Sequence, residues 1–221
     1  MRMLVTGATG FIGTRLCEWL ISEGHSVIGV SRSGAGSVQG VDYRAVDVAD
    51  PNAVSGCLGS VDCIVHLAGR AHVLSKQGDT AALYRAVNCD ATLALARMAM
   101  AAGVRRFVFV SSIGVNGNES GDQRFTETSV PQPVAHYARS KLDAEQGLQA
   151  LVQSEGMELV IIRPPLVYGA QAPGNFRTLL NVVDKGIPSP FGSVRNARSL
   201  VSVDNLVRLI ALASQHPKAA G

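Results

Sequence analysis

The segment VTGATGFIG, Val5 to Gly13, constrains this chain more than any other stretch. A short β-prone run, RMLVT, leads into Gly7, Gly10 and Gly13, and an apolar-periodic segment starts at Phe11. A strand that turns into a helix on three glycines belongs to a wound α/β sheet. The first glycine permits the sharp turn, the second lets backbone approach a bound group, and the third lets the helix lie close on the strand. The free N–H groups and positive end of that helix suit a diphosphate. The spacing is GxxGxxG rather than GxGxxG, and its strand–turn–helix context makes it a nucleotide-binding loop.

The rest of the chain repeats the pattern. Further strand candidates are 26–31, 42–46, 61–66, 105–111 and 158–163, and helix candidates are 11–23, about 80–102, 137–155, 175–185 and 204–215. Strands that are apolar throughout, separated by helix-length crossovers, imply a doubly wound parallel sheet, the Rossmann fold. The 221 residues suffice for a core without disulfide or metal staples. Cys17, Cys57, Cys63 and Cys89 show no metal-ligand spacing and read as buried core thiols in a reducing cytoplasm. A net charge of +3 without a basic block leaves no nucleic-acid footprint. No apolar run is long enough to span a membrane, and the first strand begins too early for a signal peptide.

The second strand ends Val30-Ser31-Arg32, without the carboxylate that usually takes the adenosine ribose hydroxyls. Arg32 suits a 2′-phosphate, which favours NADP(H), with NAD(H) the alternative; it also reads as a solvated loop residue. Asp47, after the third strand, suits the adenine amino group or a plain turn. The segment HYARSK sets Tyr137 and Lys141 one helical turn apart. A phenol is a poor base near neutral pH, and an ammonium group one turn away together with a positive nicotinamide ring would favour its ionised form. Ser112 follows the fifth strand candidate.

With VTGATGFIG, DVAD, HLAG, VNCDAT, VSSIGVNG, YARSK, RPPLVYG and RSLVSVDNL in this order, the chain resembles an extended short-chain dehydrogenase/reductase of the nucleotide-sugar epimerase/dehydratase family. The resemblance implies Ser112 as the hydroxyl holding the sugar oxygen, Tyr137 as general acid/base, and Lys141 as the residue that tunes it and binds the nicotinamide ribose. It implies Gly7, Gly10, Phe11, Ile12 and Gly13 on the pyrophosphate, and Asp47 and Val48 on the adenine. Leu67, Ala68, Gly69, Asn88 and Ser111 would lie along the cofactor, with Pro164 and Leu166 bordering the nicotinamide. Asn175 and Arg198 would hold the diphosphate of a UDP-sugar; an N-cap and a surface ion pair are their structural alternatives. His66 reads as a packed histidine, and His136 receives no role. Residues 1–170 would form the dinucleotide-binding domain, and 171–221 the start of a substrate-binding portion that is truncated relative to the family. A homodimer through helices that include the Tyr137 helix is a further expectation.

Dehydratases of the family carry an Asp-Glu pair directly after the catalytic hydroxyl residue. Here those positions are Ile113 and Gly114, which transfer no proton. What remains is hydride exchange at C4 of a UDP-hexose or UDP-N-acetylhexosamine in surface-polysaccharide synthesis, by a 4-epimerase or a 4-ketoreductase. The competing class is a non-catalytic nucleotide-sensing scaffold of the same fold.

Overall fold

Strands β1 (Arg2–Thr6), β2 (Ser26–Ser31), β3 (Asp42–Ala45), β4 (Cys63–His66), β5 (Arg106–Val110) and β6 (Glu158–Ile162) form one parallel sheet, ordered β3-β2-β1-β4-β5-β6. The computed structural model describes residues 1–71, 80–153, 156–173, 175–186 and 197–221. The helices are α1 (Phe11–Ser22), α2 (Pro51–Ser55), α3 (Thr80–Arg85), α4 (Ala91–Ala101), α5 (His136–Val152), α6 (Asn175–Asp184) and α7 (Val203–Ala213). Strand order turns back at β1, so the crevice at the carboxyl ends of β1 and β4 is the switch point where such sheets bind ligands.

Alternate strand residues feed two cores. Leu4, Ile64, Phe107 and Phe109 point to one face, against Leu95 of α4 and Leu148 of α5. Met3, Val5, Val65 and Val108 point to the other, against Leu16 of α1 and Leu206 and Ile210 of α7. Both faces are covered, which is why the strands carry apolar residues at nearly every position.

The helix expected over about 80–102 is divided. A π-helical turn, Ala86–Asp90, separates α3 from α4. Within it, Thr92 Oγ1 donates back to the Asn88 carbonyl at 2.9 Å, while the buried Asn88 amide is engaged elsewhere. Two strands too short for a periodicity to register, β7 (Leu166–Tyr168) and β8 (Leu200–Ser202), pair in parallel apart from the main sheet. All four cysteines are free and buried. No described helix is long and apolar enough to cross a membrane.

Candidate active site

The loop after β1 fits its glycines tightly. Gly7 has a φ of +69°, and a Cβ there would stand 3.0 Å from the Ala68 nitrogen. A Cβ on Gly13 would stand 2.1 Å from the Gly7 carbonyl oxygen, so only glycine lets α1 begin where it does. Gly10 N–H donates to Gly7 O at 2.9 Å. The first turn of α1 has no acidic residue and no side-chain cap, which leaves its N–H groups open to an anion. A cleft of about 770 Å³ opens at this point, lined by Thr9, Gly10, Phe11, Thr14, Gln171 and Val203.

Across the switch point, the register sets Thr6 beside His66 and His66 beside Phe109. The segment after β4, Leu67–Gly69, is tied down from below: Ala68 N–H donates to Thr6 Oγ1 at 3.1 Å. Asn88 holds the next residue by both backbone groups, accepting from Arg70 N–H at 2.7 Å and donating to Arg70 O at 3.0 Å. The second amide hydrogen of Asn88 goes to Ser140 Oγ at 3.0 Å, and Ser140 donates to the Tyr137 carbonyl at 2.7 Å. A Cβ on Gly69 would meet Asn88 Oδ1 at 3.1 Å and Lys141 Nζ at 3.4 Å. Gly69, Asn88 and Lys141 therefore share one corner.

Lys141 is buried; its Nζ donates to Val110 O at 3.0 Å and lies 4.6 Å from the centroid of the Phe109 ring. Burial pulls the ammonium down to about 8, against the opposing pull of Glu145 one turn on. Tyr137, half-buried at the start of α5, meets Tyr84 of α3 edge-on, with ring centroids 6.0 Å apart. Burial, and then the Tyr84 phenol, push the Tyr137 phenol above its ordinary value. The sequence reading assigns the lowering of this phenol to Lys141 together with the positive nicotinamide ring of a bound cofactor. In the chain by itself, Lys141 spends its hydrogen bond on Val110 and its charge over Phe109.

Ser112 caps the 3-10 turn Ile113–Val115, its Oγ accepting from Gly114 N–H at 3.2 Å. The Ser111 hydroxyl beside it is buried and lacks a partner among the described residues. Ile113 N–H donates to Pro164 O at 3.0 Å, which joins the Ser112 loop to the RPPLVYG segment. Leu166 is exposed at the start of β7. Phe11 packs toward Gly169, where a Cβ would lie 3.4 Å from its ring. The Val48 side chain is absorbed in the core, so only its backbone faces outward. Asp47 is exposed, and its Oδ1 accepts from Ala49 N–H at 3.0 Å, as in a plain turn.

Arg198 is exposed ahead of β8, and the Asn175 side chain lies outside the described residues. Sequence reasoning missed Tyr84, Ser140 and Thr92. The serine stands inside YARSK, but nothing in that string says that its hydroxyl answers Asn88.

The fold and this site define a class: a Rossmann-fold enzyme that works with a nicotinamide dinucleotide. Residues 3–221 match the NAD dependent epimerase/dehydratase family, and the chain belongs to it. A UDP-glucose 4-epimerase of Vibrio cholerae is 42% identical over 223 residues, 99% of this chain and 68% of that protein. Among solved structures, the UDP-glucuronic acid 4-epimerase of Bacillus cereus, bound to UDP-glucuronic acid and NAD, superposes with a TM-score of 0.85 at 25% identity, covering 100% of this chain and 76% of that one. The Thermus thermophilus UDP-glucose 4-epimerase in complex with NAD gives 0.83 at 29% identity, over 97% and 74%.

Both complexes hold NAD, which overturns the expectation of NADP(H) built on Arg32. Arg32 is exposed just past β2 and makes no hydrogen bond or ion pair with the described residues, while Ser31 Oγ closes the turn by accepting from Gly34 N–H at 3.1 Å. The arginine reads as the solvated loop residue.

Proposed function

We propose that this protein interconverts UDP-sugars epimeric at C4, using NAD as its resident dinucleotide. The observation that carries the reading is the grouping of a serine hydroxyl, a tyrosine phenol and a buried lysine ammonium at the ends of β5 and α5, beside the glycine loop. With the NADP(H) argument removed, the main ground for a ketoreductase goes too, and the names of the epimerase relatives weigh the same way.

The fit to a dinucleotide rests on the glycine cradle at Gly7, Gly10 and Gly13, on the open helix end, and on the unpartnered Ser111 hydroxyl. Gly10 to Gly13 would hold the pyrophosphate, Asp47 and the Val48 backbone the adenine, and Lys141 the nicotinamide ribose. Leu67, Ala68, Gly69, Pro164 and Leu166 would form the walls. The chemistry supplied by bound NAD is hydride exchange with the sugar carbon.

The chain's own residues move the proton. Tyr137, as phenolate, takes the proton of the C4 hydroxyl as that carbon is oxidised, and returns it after the keto-sugar has turned over. Ser112 Oγ already accepts from Gly114 N–H, so its own hydrogen is free to point at the sugar oxygen. Asn175 and Arg198 would grip the diphosphate, the guanidinium pairing two oxygens at once, and residues 171–221 would begin the sugar-nucleotide side.

The test is to incubate the protein with UDP-galactose and with its N-acetylated counterpart, following the C4 epimer by chromatography. Product from either supports the reading; the Tyr137→Phe variant should make none while still binding NAD. Wild-type protein that binds NAD and yields no epimer would favour the non-catalytic scaffold.

A further inference from the structure

Beneath the glycine loop lies a polar chain of which only Asn88 has been assigned a part. Thr6, His66, Thr92 and Asn88 are fully buried. His66 Nδ1 lies 2.7 Å from Thr6 Oγ1, and His66 Nε2 lies 2.9 Å from Thr92 Oγ1. The imidazole itself lies between rings, its centroid 5.9 Å from those of Phe107 and Phe109.

The direction of the hydrogens in this chain follows from its ends and from the neutral ring between them. Ala68 N–H can only donate, so Thr6 Oγ1 accepts there and keeps its own hydrogen to give. At the other end, Thr92 spends its hydrogen on the Asn88 carbonyl, which can only accept. Thr92 Oγ1 must then accept from His66 Nε2–H. A neutral ring then carries its one proton on Nε2, Thr6 donates to the bare Nδ1, and all hydrogens point the same way from Ala68 to Asn88. Chains so aligned polarise and strengthen one another.

We infer that His66 is a positioning residue: with Thr6 and Thr92 it forms a one-way strut that fixes the Leu67–Gly69 segment against the Asn88 turn, the two segments assigned to the dinucleotide. From Asn88 the order passes on through Ser140 to the backbone of Tyr137. Burial, and then the ammonium of Lys141 on α5, hold His66 neutral, at about 3.

The inference rests on the dinucleotide reading, and the experiment separates the two. NAD dissociation constants are measured for the wild type, Thr92→Val, Thr92→Ser and His66→Phe. The valine keeps the shape and loses the hydroxyl, and the serine restores it. Expected are a rise of about tenfold for Thr92→Val and at least as much for His66→Phe, with Thr92→Ser within about twofold of the wild type. Nitrogen NMR of the imidazole should show a protonated Nε2 and a bare Nδ1, unchanged from pH 5 to 8. Wild-type protein that binds no NAD sinks the dinucleotide reading, and the inference falls with it. Wild-type binding with affinity unchanged in Thr92→Val and His66→Phe sinks the inference alone, as does a proton on Nδ1. If His66→Phe does not fold, the Thr92 pair and the tautomer decide.

Discussion

Tyr137 shows what a spacing can and cannot say. Four residues from tyrosine to lysine do bring both side chains to one end of α5, as a helix of that register must. The spacing says nothing about where the ammonium spends its charge. Lys141 turns to Val110 and Phe109, and the phenol, packed against Tyr84, stands above its ordinary value. The expected outcome is that free protein shows no phenolate from Tyr137 at pH 8. The ultraviolet difference titration of the wild type against Tyr137→Phe should therefore show this group ionising only above pH 10. A phenolate signal at pH 8 without nucleotide would mean that the lysine acts on the phenol directly. Gly7, Gly10, Gly13, Ser112, Tyr137 and Lys141 were legible because each occupies a motif position whose chemistry is local. Tyr84, Thr92 and Ser140 were not, because their partners lie far away in sequence, 52 residues between Asn88 and Ser140 and 53 between Tyr84 and Tyr137.

At the scale of elements, strand and helix positions could be read from apolar runs and period, and the errors fall where a side chain overrules period. The break between α3 and α4 is one, at the π-helical turn that carries Asn88. A second feature hidden from period is the clamp of α5 to the segment after β6. Arg163 Nε donates to both carboxylate oxygens of Glu145, at 3.0 and 3.1 Å, and Arg163 Nη1 donates to Asn116 Oδ1 at 3.2 Å. Glu145 is 1% exposed. Removing one member strands the other charge, so Glu145→Ala or Arg163→Ala should cost about 3–5 kcal/mol in urea unfolding, and the pair Glu145→Leu with Arg163→Met far less. Equal losses for the single and the double variants would show that the pair stabilises in its own right. Gly13 is the sharper steric case. With a Cβ 2.1 Å from Gly7 O, Gly13→Ala must push α1 off the loop, and it should lose NAD binding even where the protein still folds.

The molecule as a whole carries a pH signature that follows from its buried groups. His66 is held at about 3 when folded, against an ordinary 6.5. Between those values the unfolded chain binds a proton that the folded chain refuses, so stability rises with pH at about 1.4 kcal/mol per unit from this group alone. Lys141, at about 8 against 10.5, acts with the same sign: the folded chain releases its proton first, and stability rises from pH 8 upward. The thiols oppose it. Cys17 and Cys63 are pushed up to about 12 by burial, from 9.0, so above pH 9 the unfolded chain alone loses these protons and stability falls. Two thiols outweigh one lysine there. Calorimetric melting temperatures from pH 4 to 10 should therefore climb through the acid range, peak at about pH 9, and decline in stronger alkali. His66→Phe should flatten the climb between pH 4 and 6.5, because its ring has no proton to refuse. Replacing both cysteines by alanine should move the peak to higher pH. A melting maximum below pH 6, or an acid limb equally steep in His66→Phe, would mean that the imidazole takes up its proton in the folded state.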